Sequence, residues 1–278
     1  MVNKADRLRH YKHLMKSNFI HRVARYLGKR VIPISFEGII IALVEGFYRR
    51  KRAADSKKGE LYFDQRISFF ETGFTEHNLG VGLFKRGFVL TEILSAQDRV
   101  LDLGCGDGFF TSRFYAPISR HVDAVDISES ALRMARRNNS RINVSYHKLD
   151  FLHEKFPHEK YDVIVLNALF GTFNDGDLAN LFKTISGSLS SDGIFVGCWA
   201  LNEDKQTANL LKSREAITQI LLNNFPCVRT RQEECKIVGR TRTEAFWQAA
   251  PTEKRFHSKD WVVGDGNLSS KIKSSIYK

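Results

Sequence analysis

The sequence lacks an apolar run long enough to cross a membrane. Its longest apolar stretch, residues 31–48, is interrupted by Glu37 and Glu45. The uninterrupted part, residues 38–44, falls far short of the roughly 20 residues that a spanning helix needs. The first 30 residues are charged throughout and lack the apolar segment of a secretory signal. We therefore expect a cytoplasmic protein.

Cysteine is scarce, and its placement excludes the usual structural zinc sites. The four cysteines are Cys105, Cys198, Cys227 and Cys235. They form no Cys-x-x-Cys pair and have no zinc-ligand spacing with the nine histidines. A chain of 278 residues is also long enough to bury a core without disulfide bonds. The sequence therefore predicts no metal site.

Positive charge is plentiful but is concentrated at one end of the chain. The formal net charge is +12. Residues 1–58 contain 15 Lys and Arg against 4 acids, a net charge of +11, which leaves a net charge of +1 for the remaining 220 residues. This asymmetry indicates an anionic partner for residues 1–58, whether nucleic acid, a membrane surface or an acidic substrate.

Hydrophobic periodicity divides the chain into three regions. These are a basic helical N-terminal extension (1–58), an aromatic-rich helical lead-in or lid (59–97) and a main domain (98–278). In the main domain, short apolar runs alternate with helical stretches, which predicts an α/β fold with a parallel sheet covered on both faces. The predicted strands are 99–103, 121–125, 143–148, 161–166, 193–199, 227–232 and 243–249, and the predicted helices are 109–115, 129–138, 177–189 and 207–222. The last two strands have no long helix between them, which favours an antiparallel hairpin at one edge.

The most informative segment is a glycine loop between the first strand and the first helix of the main domain. Gly104, Gly106 and Gly108 stand at alternate positions directly after the apolar run 99–103. Glycines permit positive φ angles and let a ligand approach the backbone, and this turn lies where α/β sheets bind ligands. The spacing is not the GxGxxG of dinucleotide sites, and Asp107 would repel a pyrophosphate.

Three acids accompany the loop. Asp126 ends the second strand, where a carboxylate can accept both hydroxyls of a ribose. Asp150 follows the third strand, placed to accept a hydrogen bond from an adenine amino group, with Phe151 or Ile127 against the ring. Asp102, just before the loop, can meet an ammonium directly or through water. Together these residues predict a site for a nucleoside that carries a cationic amino acid and no phosphate.

This constellation resembles the class I S-adenosylmethionine-dependent methyltransferases over residues 98–200, in the segments VLDLGCGDG, VDAVDIS, KLDF, YDVIVLNALF and LSSDGIFV. The resemblance implies a seven-stranded doubly wound sheet in the order 3-2-1-4-5-7-6, with the seventh strand antiparallel, and S-adenosyl-L-methionine as cofactor. It also implies that the loop, with Cys105 between its first two glycines, surrounds the amino-acid part of the cofactor, that Asp126 holds the ribose and that Asp150 holds the adenine. Asn167 and the three residues after it would lie beside the methyl group and the substrate.

No catalytic residue stands out. The Asn/Asp-Pro-Pro-Tyr/Phe pattern of methyltransferases that act on bases or glutamine is absent after the fourth strand, and Asp175 and Asp177 do not form a convincing metal cluster. Four histidines could act as a base, namely His77, His147, His153 and His158. For each of them, a surface or structural role is the favoured interpretation. His77 is the one weak candidate, because the segment before the first strand covers the cofactor in this family.

The hypothesis is a methyltransferase that acts on a small-molecule, saccharide or lipid-linked acceptor. Three interpretations of residues 1–58 stay open: a solvated helical pair packed on the domain, peripheral attachment to an anionic membrane, or RNA binding through phosphate contacts. No RNA-binding module or aromatic–basic stacking pattern supports the last. The alternatives for the whole protein are an RNA methyltransferase and a partner subunit that binds the cofactor without catalysis.

Overall fold

The computed structural model describes residues 80–169, 173, 175–201, 213–237, 240–256 and 261–263. All of them belong to one of the two units into which the chain divides, Gly73–Lys278. The predicted extension at residues 1–58, the predicted lead-in up to residue 79 and the candidate His77 lie outside the described residues.

Helices and strands alternate through most of the described part. The helices are α1 (Gly80–Thr91), the π-helix (Thr111–Tyr115), α2 (Glu129–Asn138), α3 (Asp175–Ser188) and α4 (Arg214–Leu222). The strands are β1 (Arg99–Leu103), β2 (His121–Asp126), β3 (Val144–Lys148), β4 (Tyr161–Asn167), β5 (Leu189–Ala200), β6 (Cys227–Ile237), β7 (Arg240–Ala250) and β8 (Val262–Val263). Of the helices just given, none is both long and apolar enough to span a bilayer.

The strands form one mixed sheet in the order β3-β2-β1-β4-β5-β7-β6-β8. Strands β1 to β5 pair in parallel, and β7 runs antiparallel to both β5 and β6. The predicted order of seven strands and the antiparallel seventh strand are confirmed. The addition is β8, which pairs with Arg229 and Thr230 of β6 at the edge of the sheet. Two residues are too few for a hydrophobic pattern to predict.

Several boundaries differ from the prediction. β5 begins at Leu189, which the sequence assigned to the preceding helix, because Leu189 already pairs with Tyr161 across a register shift in β4. The helix predicted at 109–115 is a π-helix, in which the Ala116 N–H donates to the Thr111 carbonyl five residues back at 2.8 Å. α4 begins at Arg214, and residues 207–212 of the helix predicted at 207–222 lie outside the described residues.

β6 and β7 extend beyond the apolar runs that predicted them. In the outer part of β6, charged side chains that are described bind α1 and its end. Arg231 donates to Glu92 at 2.9 Å, and Glu233 forms an ion pair with Lys85. A search for apolar runs cannot detect strand residues that are fixed by surface ion pairs.

Two hydrophobic clusters cover the two faces of the sheet. One joins Leu101 and its neighbours to Phe182 of α3 and Ile217 of α4, and the other joins Val100 and its neighbours to Leu90 of α1 and Tyr115 of the π-helix. Burial on both faces explains why these strands are near-continuous apolar runs without alternation.

Polar contacts fix the positions of two helices, α1 and α2. The Ser128 hydroxyl caps α2 by accepting from the Ala131 N–H at 3.2 Å, and Glu129 in the first turn suits the positive end of the helix dipole. α1 is tied to the sheet by a buried ion pair, in which both oxygens of Glu244 in β7 accept from Arg86, with the Nε bond at 2.7 Å. These contacts fix the start of α2, which follows Asp126, and tie α1 to β7.

Candidate cofactor site

The carboxyl ends of β1 to β4 meet at one edge of the sheet, and the predicted site residues follow them directly. Residues 104–108 follow β1, Asp126 ends β2, Asp150 comes two residues after β3, and Asn167 ends β4. The strand order reverses between β1 and β4, which is the point where open α/β sheets bind ligands. The structure therefore brings the predicted residues of four separate segments to one edge.

Each glycine of the loop has a positive φ: +71° at Gly104, +56° at Gly106 and +72° at Gly108. A Cβ at Gly104 would overlap Leu169, and one at Gly108 would overlap the Tyr146 hydroxyl. A Cβ at Gly106 would meet no atom within 4 Å. Gly104 and Gly108 are therefore required by packing, whereas Gly106 faces open space at the edge of the sheet.

Hydrogen bonds from α2 and β3 hold the far end of the loop. The Asn139 amide donates to the Asp107 carbonyl at 2.7 Å, and the Ser112 hydroxyl donates to Asn139 Oδ1 at 3.0 Å. The Tyr146 hydroxyl donates to the Asn139 carbonyl at 2.8 Å. The loop is thus preorganised by its own neighbours. The sequence analysis did not identify Asn139 or Tyr146, because no local motif links them to the loop.

Asp126 is bound to the loop by its side chain. One carboxylate oxygen accepts from the Gly106 N–H at 2.9 Å, and the other accepts from the Ser128 N–H at 2.8 Å. The residue is 9% exposed. These two hydrogen bonds from backbone N–H groups fix the orientation of the Asp126 carboxylate. Ile127, the next residue, is half-buried.

Asp150 is less buried and is engaged by a neighbour. One oxygen accepts from the Leu152 N–H at 3.1 Å, and the other lies 2.8 Å from Nδ1 of His153. This hydrogen bond and the charge of Asp150 raise the pKa of the exposed His153 imidazole. Phe151 packs edge-to-face on Phe173 at 5.9 Å between ring centres. His153 is therefore at the surface, as predicted, but it contacts a predicted site residue.

Asp102 is the most buried acid of the site, with 2% of its surface exposed. Its Oδ2 accepts from the Thr111 hydroxyl at 2.5 Å. Burial raises the pKa of the Asp102 carboxyl from 3.8 to about 7, the Thr111 hydrogen bond opposes that rise, and the charge of Asp126 adds to it. Burial and the neighbouring carboxylates also raise the pKa of the Cys105 thiol well above its ordinary value, so the thiol stays neutral.

The end of β4 has an unusual backbone. Asn167 Oδ1 accepts from the Cys198 thiol at 3.1 Å, and the next residue, Ala168, has a φ of +58°, although it is not glycine. Its N–H donates to the Cys198 carbonyl at 3.0 Å. Left-handed backbone at a residue other than glycine costs free energy and occurs often at functional sites. Phe170, also predicted to lie beside the methyl group, is outside the described residues.

Two of the candidate histidines have a structural role. His147 Nε2 lies 3.0 Å and His158 Nε2 lies 3.4 Å from the carboxylate of Asp123, and His121 contacts the same carboxylate at 3.3 Å. Asp123 is almost fully buried within β2. Both histidines therefore contact a buried carboxylate, and His158, which the polar loop around it placed at the surface, keeps 43% of its side chain exposed.

Residues 100–193 match the family model described as "Methyltransferase domain". Among curated proteins, the chain is 34% identical over 103 residues to the malonyl-[acyl-carrier protein] O-methyltransferase of Bacillus cereus, covering 37% of this chain and 37% of that protein. It is 27% identical over 180 residues to the ribosomal protein L11 methyltransferase of Acetivibrio thermocellus, covering 63% of this chain and 50% of that protein. The match thus spans half the length of these two relatives or less.

Among solved structures, the chain is similar to the magnesium protoporphyrin IX methyltransferase of Synechocystis PCC 6803 with bound S-adenosylhomocysteine. The TM-score is 0.55 with 12% sequence identity, over 70% of this chain and 100% of that chain. The fold inferred from the sequence is therefore confirmed. Together with the family match, it identifies residues 100–193 as a methyltransferase domain with the class I, Rossmann-like fold of the S-adenosylmethionine-dependent methyltransferases.

Proposed function

We propose that the chain is an S-adenosylmethionine-dependent methyltransferase whose cofactor lies along the carboxyl edge of β1 to β4. The observation that carries the proposal is the glycine turn at Gly106, which the described residues leave open, together with three carboxylates at or just beyond the ends of β1, β2 and β3. The order Asp102, Asp126, Asp150 along the edge matches ammonium, ribose and adenine. The family match and the relatives named above support the same activity.

The residues present fit this cofactor. Its amino-acid arm would lie against the backbone at Gly106, where no atom of the described residues comes within 4 Å of a Cβ position. Asp126, fixed by the Gly106 and Ser128 N–H groups, would accept from the ribose hydroxyls, and Asp150 would accept from the adenine amino group.

The chemistry asked of the chain is mainly positioning. When bound, S-adenosylmethionine supplies a methyl group on a sulfonium, and transfer to an acceptor is an in-line displacement. Asn167, which ends β4, and the three residues after it would border the methyl group and the acceptor, and the bond from the Cys198 thiol orients the Asn167 amide. His77 stays a weak prediction for a base.

The acceptor class is the finer part of the proposal. We propose a small-molecule, saccharide or lipid-linked acceptor, because the segment after β4 lacks the pattern of methyltransferases that act on bases or glutamine. The named relatives include one acting on an acyl-carrier protein and one acting on a ribosomal protein. An extract of metabolites and glycans incubated with the chain and labelled cofactor identifies the acceptor. Labelling of protein or RNA alone would contradict this acceptor class.

Calorimetry tests the cofactor claim. The full chain is titrated with S-adenosylmethionine and with S-adenosylhomocysteine, beside Asp126→Ala, Asp150→Ala and Asp192→Ala. Because hydrogen bonds to a charged group contribute about 1.5–3 kcal/mol, the first two variants should bind at least about tenfold more weakly. Asp192 of β5 is an exposed acid outside the site that pairs with Lys254, so its variant should bind as the wild type does. No binding to the wild type, or equal binding to all variants, would refute the claim.

A further inference from the structure

The π-helix places a buried hydroxyl directly on a buried carboxylate of the site. The Ala116 N–H bonds the Thr111 carbonyl, five residues back, which is the hydrogen bond that defines a π-turn. Such turns occur frequently at functional sites. Here the turn sets the fully buried Thr111 hydroxyl 2.5 Å from Oδ2 of Asp102.

The other oxygen of Asp102 is available. Within the part of the chain that the structure describes, no hydrogen bond is made to Oδ1, although the residue is 2% exposed. A carboxylate with one oxygen held by a protein hydroxyl can accept a hydrogen bond from a ligand at the other oxygen. Asp102 lies one residue before the end of β1, and the glycine loop follows that strand.

The charges around Asp102 are mostly unfavourable to its ionised form. The groups that interact with it from the surrounding elements are Asp126 of β2, Cys105 of the loop, Tyr115 of the π-helix and Tyr146 of β3. Burial and the Asp126 charge raise the pKa of Asp102 to about 7, and the Thr111 hydroxyl is the neighbour that opposes this. Arg86 of α1, a buried cation, is bound to Glu244.

We propose that Thr111 is a positioning residue that orients the ionised Asp102 toward the ammonium of the cofactor, so that cofactor binding is coupled to release of a proton from Asp102. The proton goes to solvent as the ammonium takes its place beside the carboxylate, and no covalent bond changes. This inference rests on the proposed function, because it needs the cofactor to bind at this edge.

The coupling predicts a specific pH dependence. Only the ionised fraction of Asp102 is competent to bind, and this fraction falls from about nine tenths at pH 8 to about one tenth at pH 6. The dissociation constant for S-adenosylhomocysteine should therefore be about tenfold higher at pH 6 than at pH 8. Loss of the Thr111 hydroxyl raises the pKa further, because it removes a hydrogen bond to the charged form.

The experiment compares Thr111→Val, Thr111→Ser and Thr218→Val with the wild type, by calorimetry with S-adenosylhomocysteine from pH 6 to pH 9. T111V should bind about tenfold more weakly than the wild type at pH 6, with the ratio approaching one at pH 9. T111S keeps the hydroxyl and should keep a ratio near one. T218V makes the same substitution at a buried threonine of α4 that bonds the Arg214 carbonyl, and its ratio should stay near one at every pH.

The outcomes separate the two claims. Titration of the ligand's own ammonium affects the wild type and the variant equally, so it cancels in the ratio of their dissociation constants. If this ratio for T111V is constant with pH, or if T111S binds as weakly as T111V, the role of Thr111 is overturned while the cofactor site stays intact. If T111V folds poorly, the wild type alone tests the coupling. Calorimetry of S-adenosylhomocysteine binding near pH 6.5, in buffers of different ionisation enthalpy, must show release of a proton, and absence of proton release would overturn the coupling. Absence of any binding to the wild type would overturn both proposals.

Discussion

The glycine loop makes one prediction that separates folding from ligand binding. Gly106 and Gly108 share a left-handed backbone, with φ of +56° and +72°, but only Gly108 is enclosed. An L-residue in this conformation costs about 1–2 kcal/mol, so Gly106→Ala should lower the free energy of unfolding by that amount. Gly106→Ala should nevertheless lose at least about tenfold in affinity for S-adenosylhomocysteine, because its methyl group enters the open space against which the ligand must lie.

Gly108→Ala should show the reverse balance, with a larger loss of stability. It bears the same backbone cost, and its Cβ also overlaps the Tyr146 hydroxyl and comes within 3.0 Å of Ala135 Cβ. Overpacking typically costs about 1–3 kcal/mol. Displacing Tyr146 would also break its hydrogen bond to Asn139, which is worth about 1 kcal/mol. The total is about 3–6 kcal/mol, a large share of the stability of a typical domain.

Urea unfolding and calorimetry measure the two effects. Gly187→Ala is the matched control, because Gly187 lies within α3, has no enforced positive φ and has no atom within 4 Å of a Cβ. It should be neutral or slightly stabilising and should bind ligand normally. Wild-type affinity in Gly106→Ala would show that the loop does not contact the ligand. Equal destabilisation of Gly106→Ala and Gly108→Ala would refute the packing argument.

Three further predictions concern buried and exposed charges. Folding raises the pKa of Asp102 from 3.8 to about 7, so ionisation of this carboxyl lowers the free energy of unfolding as the pH rises through that window. In urea unfolding, Asp102→Asn should therefore be more stable than the wild type at pH 8, by on the order of 4 kcal/mol. Near pH 4 it should be no more stable than the wild type. Arg86→Met leaves Glu244 buried without its cation and should cost about 3–5 kcal/mol, most of which Glu244→Gln in the same chain should restore in a double-mutant cycle; additive losses would contradict the pairing. His153→Ala should raise the affinity for S-adenosylhomocysteine at pH 6 and leave it unchanged at pH 8, because the pKa of His153 is raised by Asp150 and the protonated ring competes for that carboxylate; equal affinity at pH 6 would refute the competition.

The central part of the fold could be predicted from the sequence because its strands are buried on both faces. β1 was predicted with the bounds that the structure has, and α2 likewise, since Ser128 and Glu129 are a recognisable helix start. The strand order followed from the resemblance and not from periodicity. The hairpin of β6 and β7 was predicted too short, because charged residues interrupt the apolar pattern at its outer end, where Glu233 forms an ion pair with Lys85 of α1.

The site could be predicted only where a residue and its motif are adjacent in sequence. The glycines and Asp126 follow apolar strands and were identified. Thr111 was not, because its contact with Asp102 depends on a π-turn that no sequence pattern indicates. The bond between His153 and Asp150 was also missed, since a histidine in a polar loop has no feature that distinguishes a partner from solvent.

A crystal structure of the full chain with S-adenosylhomocysteine tests the central claim most directly. The account predicts the adenosine between Asp126 and Asp150, with ribose hydroxyls donating to Asp126, and the amino-acid arm against Gly106 with its ammonium within hydrogen-bond distance of Asp102 Oδ1. A ligand bound away from the carboxyl edge of β1 to β4, or bound there with none of these carboxylates in contact, would contradict it.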